Sequence, residues 1–226
     1  MIEVFSSFNC TLNTFFVAVD VMDSFLEKTP RRVESKDVHL IGVTAMLIAS
    51  KLEEIIPFKV STVVEKMTHN KLRARDIVDC ELEVLTALGF NFFTASPLFI
   101  VVEMLFVKLG LYNLEITPDL LKVVTYISKM ILHDYTLLSK FPLRYIAASC
   151  VYICFKIIEQ VNKEFKTRVY VDKLKTVLEL DDAFFYKSSE VVLNLAKNFE
   201  TVFPFAKNLQ RFDAFTLEEK SKQRAL

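Results

Sequence analysis

Residues 42–54 read GVTAMLIASKLEE, and no other stretch limits the fold of this chain as strongly. Up to Ala49 the run is apolar or small on almost every helical face, the pattern of a helix buried on all sides. At its C-terminal end it abruptly carries Lys51, Glu53 and Glu54. Glutamates there face the negative end of the helix, at a cost of about 0.3–1 kcal/mol each. A polar head in that position needs a partner, either inside the chain or on another protein.

A second carboxylate sharpens the point. Residues 71–88 form a helical pattern with Ile77, Val84, Leu85 and Leu88 on one stripe. Glu81 lies four residues from both Ile77 and Leu85, in the middle of that stripe. A carboxylate among apolar neighbours is costly unless paired, and Lys51 is the obvious cation for it. The expectation is that Lys51 and Glu81 lie close together on one surface. A docking site and a purely structural ion pair both satisfy it.

Glycine and proline together number only nine, in a chain that is 52% hydrophobic. That balance favours helices with short connections over sandwiches or barrels. The formal net charge is zero, which removes any global pull toward nucleic acid or anionic membranes. Twenty-one phenylalanines imply large apolar surfaces, some of which can face a partner. The start of the chain has no basic n-region, and the longest apolar stretch, residues 92–107, contains Pro97 and Glu103 and is too short to span a bilayer. Cys10, Cys80, Cys150 and Cys154 form no Cys-x-x-Cys pair and read as buried thiols of a reducing, intracellular compartment. His39, His69 and His133 show no ligand spacing with them, so no metal or cofactor is expected.

The chain repeats itself. Residues 40–54 (LIGVTAMLIASKLEE) align without a gap on residues 145–159 (YIAASCVYICFKIIE). Gly42 matches Ala147, Ala45 matches Cys150, Lys51 matches Lys156, and Glu54 matches Glu159. Two copies of a central helix predict two similar helical bundles in tandem. In the first half, helices are expected over residues 11–28 (stripe Phe15, Val19, Met22, Leu26), from a cap at Ser35, briefly over 60–67, and over 71–88 from a cap at Asn70. An extended linker follows over 90–97. In the second half they are expected over 97–109, 117–138, 142–160, 171–178 and 181–202, the last capped by Asp181 or Asp182. A charged tail follows Pro204.

No catalytic motif appears. Gly42, Gly89 and Gly110 are the only glycines and cannot build a phosphate-cradling loop. Glu53 and Glu54 are adjacent, so they point about 100° apart on a helix and cannot flank one substrate as an acid/base pair. Arg31 and Arg32 read as a solvated loop charge, and His133 as a boundary histidine. The residues describe a helical interaction protein, not an enzyme.

Three segments resemble one family. Residues 40–55 (LIGVTAMLIASKLEEI) resemble the core of the cyclin box, as do residues 18–26 (AVDVMDSFL) and 81–90 (ELEVLTALGF), in the family's order and spacing. Ile55, Ile56 and Pro57 after the two glutamates point to the mitotic A/B type. The resemblance implies an all-α chain of two tandem five-helix cyclin-type bundles joined by a short linker. The N-terminal cyclin box would span residues 1–93, a C-terminal cyclin fold 94–204, and a charged tail 205–226. It further implies a non-catalytic regulatory subunit that binds and activates a cyclin-dependent protein kinase as a heterodimer, in the nucleus and cytoplasm. By this resemblance Lys51 and Glu81 are the central polar contacts to the kinase. Glu53 and Glu54 lie at or beside the contact, and Leu85, Leu88, Phe90 and Phe92 form or support an apolar surface for the kinase's C-helix.

One departure stands out. Met1 to Val4 match residues that follow the start of the family's first box helix, which implies a beginning inside that helix. The segment that builds most of the groove for Arg-x-Leu substrates and inhibitors has no counterpart here. Glu3, Val38 and His39 match the remaining groove positions, with His39 where glutamine is usual. The alternative is a cyclin-fold scaffold of the transcription-factor type that binds protein and DNA. It would need a local basic face, which the neutral net charge does not favour.

Overall fold

The computed structural model describes residues 1–91 and 98–206. Among these every regular element is helical, and the chain divides into two compact units between Pro97 and Leu98. Most of the linker expected over 90–97 and the tail from residue 207 onward lie outside the described residues.

The first unit holds α1 (Ile2–Ser7), α2 (Leu12–Lys28), α3 (Asp37–Glu53), α4 (Val60–Thr62, continuing as a π turn Val63–Met67) and α5 (Ala74–Ala87). α3 is its centre: Ile41 and every residue from 43 to 50 are buried, and α2 and α5 pack on it. Ala45 and Ala49, both at 0% exposure, keep the helix thin enough for neighbours on several sides.

The buried face of α2 meets the expected stripe only at Phe15 (7% exposed). Thr14, Ala18, Val21 and Phe25 line it, while Leu26 is 38% exposed and Val19 and Met22 are half-buried. α2 is apolar on more than one face, and packing against α3 decided which of them is buried.

Local polar chemistry also differs from expectation. Ser35 does not cap α3; Lys36 holds the cap position with no side-chain bond. Asp37, the first residue of the helix, instead ties down the loop that leads into it. Its Oδ2 accepts the Glu34 N–H (3.1 Å) and Arg31 Nη1 (2.9 Å), which together hold its carboxyl below the usual range. Arg31 is therefore not a solvated loop charge, since its Nε also donates to Glu83 Oε1 on α5 (2.5 Å). Asn70 does not cap α5 either. It sits at φ 60 in a turn, and the helix begins at Ala74 behind Arg73. Gly89, at φ 61, ends α5 where L side chains are disfavoured.

The second unit holds α6 (Leu98–Leu109), α7 (Thr117–Ile131), α8 (Tyr135–Lys140), α9 (Leu143–Val161), α10 (Thr167–Leu178) and α11 (Asp182–Val202). α9 is central, packed by α6, α7, α10 and α11. The helix expected over 117–138 is broken because Asp134 accepts the Leu137 N–H and starts α8. α10 begins at Thr167, four residues before the expected start. Asp181 caps α11 as expected, accepting the Phe184 N–H at 2.9 Å. His133 lies against Phe199 and Phe203, and its Nδ1 meets the Lys129 carbonyl (2.9 Å). Cys80, Cys150 and Cys154 are buried free thiols, while Cys10 is half-buried and lies outside the helices. Burial pushes the Cys150 thiol up to about 12 and raises Cys154 further still, so both are inert at neutral pH.

Candidate protein-binding surface

α3 runs through the first unit, buried from residue 43 to 50, and surfaces at both ends. At the C-terminal end the buried segment gives way to Lys51, Leu52 and Glu53, all exposed. α5 lies beside it, held by Ile77 (0%), Val84 (0%) and Leu88 (6%) in the core. That packing points Glu81 at the end of α3. Lys51 Nζ donates to Glu81 Oε1 at 2.6 Å, with the lysine side chain 44% exposed and the glutamate 13%. The carboxylate is mostly covered and the ammonium remains half in solvent. A pair this open adds only about 0–1 kcal/mol to folding, so stability alone gives little reason to place it there.

Exposed apolar residues lie along the same two segments. Leu52 is 41% exposed, Ile55 100% and Ile56 84% at and beyond the end of α3. On α5, Val78 is 47% and Leu82 60% exposed. Phe90 is 64% exposed, in the left-handed region at φ 55, a conformation that costs an L residue about 1–2 kcal/mol. Large exposed apolar side chains on the two segments that hold a charge pair make a surface suited to a protein partner. Leu52, Val78 and Leu82 did not enter the sequence expectation. Their signal was an apolar residue beside a charged one on a face that periodicity marks as polar.

The other expected site residues take different positions. Glu53 is exposed. Glu54 turns back into the unit, where Oε1 accepts the Thr11 N–H (2.6 Å) and the Thr14 hydroxyl (2.5 Å) at the start of α2. Leu85 is half-buried and Leu88 is core, so Leu88 supports the surface from beneath. Phe92 lies outside the described residues. Among the described residues no three His, Cys, Asp or Glu side chains group as a metal site, and no helix is long and apolar enough to cross a membrane.

The family model described as "Cyclin, N-terminal domain" matches residues 1–92, the stretch that contains α1 to α5. Those residues match the N-terminal domain of cyclins. The chain as a whole resembles cyclins of the mitotic A/B type. It is 29% identical over 151 residues to the G2/mitotic-specific cyclin-B1 of Xenopus laevis, covering 66% of this chain and 35% of that protein. It is 26% identical over 214 residues to the G2/mitotic-specific cyclin-B2 of Homo sapiens, covering 95% of this chain and 48% of that protein. The chain thus spans between a third and a half of these curated relatives. Among solved structures, a viral cyclin from herpesvirus saimiri superposes with a TM-score of 0.66 at 19% identity, covering 84% of this chain and 78% of that one. That likeness extends the cyclin fold beyond the N-terminal domain. Within that domain, the residues matched to a substrate groove are all exposed: Glu3 on α1, with Val38 (43%) and His39 at the start of α3.

Proposed function

We propose that this chain is a cell-cycle cyclin, a non-catalytic regulatory subunit that binds and activates a cyclin-dependent protein kinase in the nucleus and cytoplasm. The observation that carries the reading is the Lys51–Glu81 pair, 2.6 Å apart at the surface, with exposed Leu52, Ile55, Ile56, Leu82 and Phe90 on the segments that hold it. Relatives named as mitotic cyclins support it.

The mechanism is differential binding. An active protein kinase needs an ion pair between its catalytic lysine and a glutamate of its mobile C-helix, together with an open activation segment. A rigid apolar platform with fixed charges binds the conformer in which that helix is swung in and shifts the population toward it. Glu3, Val38 and His39 offer a partial groove for Arg-x-Leu segments of substrates or inhibitors.

Titration calorimetry of the chain with a purified cyclin-dependent kinase, paired with a histone-phosphorylation assay, tests this. Binding with a rise in kinase activity is expected. Absence of both for the folded wild-type chain across mitotic kinases would overturn the proposal.

A further inference from the structure

The two adjacent glutamates at the end of α3 are chemically identical, yet only Glu54 is committed within the chain. It is the C-cap of α3, with extended backbone (φ −97, ψ 140), so the chain leaves the helix at this residue. Its carboxylate reaches the N-terminus of α2, a 17-residue helix, and takes both the Thr11 N–H and the hydroxyl of Thr14. The charge is unfavourable at the end of its own helix and favourable at the start of α2. Four residues on, the chain is anchored again. Ser50 Oγ accepts the Phe58 N–H (3.1 Å), and the Phe58 ring packs on Phe5 and Phe8 at centroid distances of 6.2 and 5.2 Å.

Between these anchors lie only Ile55, Ile56 and Pro57. The two isoleucines stand 100% and 84% exposed. Free apolar side chains on a slack loop would fold down onto neighbouring apolar surface. Here both ends are tied, and β-branching and proline stiffen the span.

We propose that Glu54 is a positioning residue. By clamping α2 it holds Ile55 and Ile56 as a fixed apolar tip that the partner kinase covers, next to the Lys51–Glu81 pair. This rests on the kinase-binding reading above and revises the role within it, because Glu54 acts through Thr11 and Thr14 and not by touching the kinase.

A double-mutant cycle separates the two roles. Thr14 is 0% exposed and cannot reach a partner. Kinase affinity is measured for wild type, Glu54→Ala, Thr14→Val and the double variant. Glu54→Ala is expected to lose about tenfold, Thr14→Val less because the Thr11 N–H bond to Glu54 remains, and the double no more than Glu54→Ala alone. Glu54→Gln, which keeps an accepting oxygen, should bind close to wild type. Thr14→Ser, which keeps the hydroxyl, should do the same and guards against a folding defect in Thr14→Val. If Glu54→Ala weakens binding while Thr14→Val does not, or if losses add, Glu54 meets the kinase directly and the proposal fails.

A readout without the kinase accompanies the cycle. Amide exchange across residues 54–58 of the isolated chain should rise about tenfold or more in Glu54→Ala. Unchanged exchange removes the clamp even if the kinase binds. Faster exchange in a chain whose wild type captures no kinase keeps the clamp and discards the partner.

Discussion

The two central helices, α3 and α9, carry a lysine and a glutamate in the same register and put them to different uses. In the first unit Lys51 reaches across to Glu81 on α5, and Glu54 reaches across to α2. In the second, Lys156 bonds to Glu159 on its own helix (3.2 Å), and Glu159 also accepts the Thr167 N–H at the start of α10 (3.2 Å). The neighbouring helix makes the difference. α11 packs on α9 and α5 on α3, and aligning their buried stripes sets Phe185 and Val192 on Ile77 and Val84. In that alignment Ser189 falls at the place of Glu81. Ser189 is 4% exposed, and its hydroxyl donates to Ser149 Oγ (3.1 Å). A serine layer there closes the helices together and offers no anion, so Lys156 stays exposed and pairs along its own helix. A repeated motif is thus a set of available charges, and the facing helix decides whether they become an outward-held pair.

Exchanging the two lysines gives the largest contrast. Lys51→Ala should weaken kinase binding by about 2–5 kcal/mol, and Lys156→Ala by less than about 0.5 kcal/mol, in the same calorimetric titration. Equal effects would erase the distinction between the units.

A second variant tests the alignment of α5 with α11. Ser189→Glu places a carboxylate at the buried serine layer and should destabilise the chain by about 3 kcal/mol in urea unfolding. Glu81→Ser should cost only about 1 kcal/mol or less. A mild Ser189→Glu effect would mean that the layer opens easily to water.

Acidity should act on the first unit through α2. Asp20 and Asp23 are both raised from 3.8 to about 6, chiefly by burial, with the Asp23 charge adding to the effect on Asp20. Aligning the buried faces of α2 and α7 puts Tyr126 and Lys129 at these places in the second unit. Because the folded values lie above the unfolded ones, the protonated carboxyls favour the fold. Their contribution is complete below pH 3.8 and is lost as pH rises through about 6. Asp20→Asn and Asp23→Asn should therefore each raise stability at pH 7 by about 1–2 kcal/mol and flatten its dependence between those values, followed by urea unfolding at a series of pH values. An unchanged pH profile would show that water reaches both groups freely.

The smallest effect concerns the site where Gly42 stands for Ala147. An added Cβ would meet only the ends of the Met1 and Met22 side chains, at 3.5 and 4.0 Å. Gly42→Ala should stabilise the first unit by about 0.5–1 kcal/mol in thermal unfolding, through lower backbone entropy of the unfolded chain. A loss would mean that the close approach of Met1 is needed.

Several features were legible in the residues alone. The all-apolar run marked α3 as central, and the gapless match of residues 145–159 marked α9 as its counterpart. Glu81, placed on a stripe with Ile77 and Leu85, had to find a cation, and Lys51 was the nearest in kind. These follow from helical period and from the cost of an unpaired buried charge, both local properties. Sequence did not show that Glu54 faces inward while Glu53 faces water, that Arg31 ties a loop to α5 through Glu83, or that α2 buries Thr14 and Phe25 and leaves Leu26 exposed. Each depends on the angle at which one helix meets another and on where the next helix begins, which is set by packing between residues distant in the chain. Periodicity determined which side chains were available; the tertiary contacts alone decided which of them were bonded internally and which were left exposed.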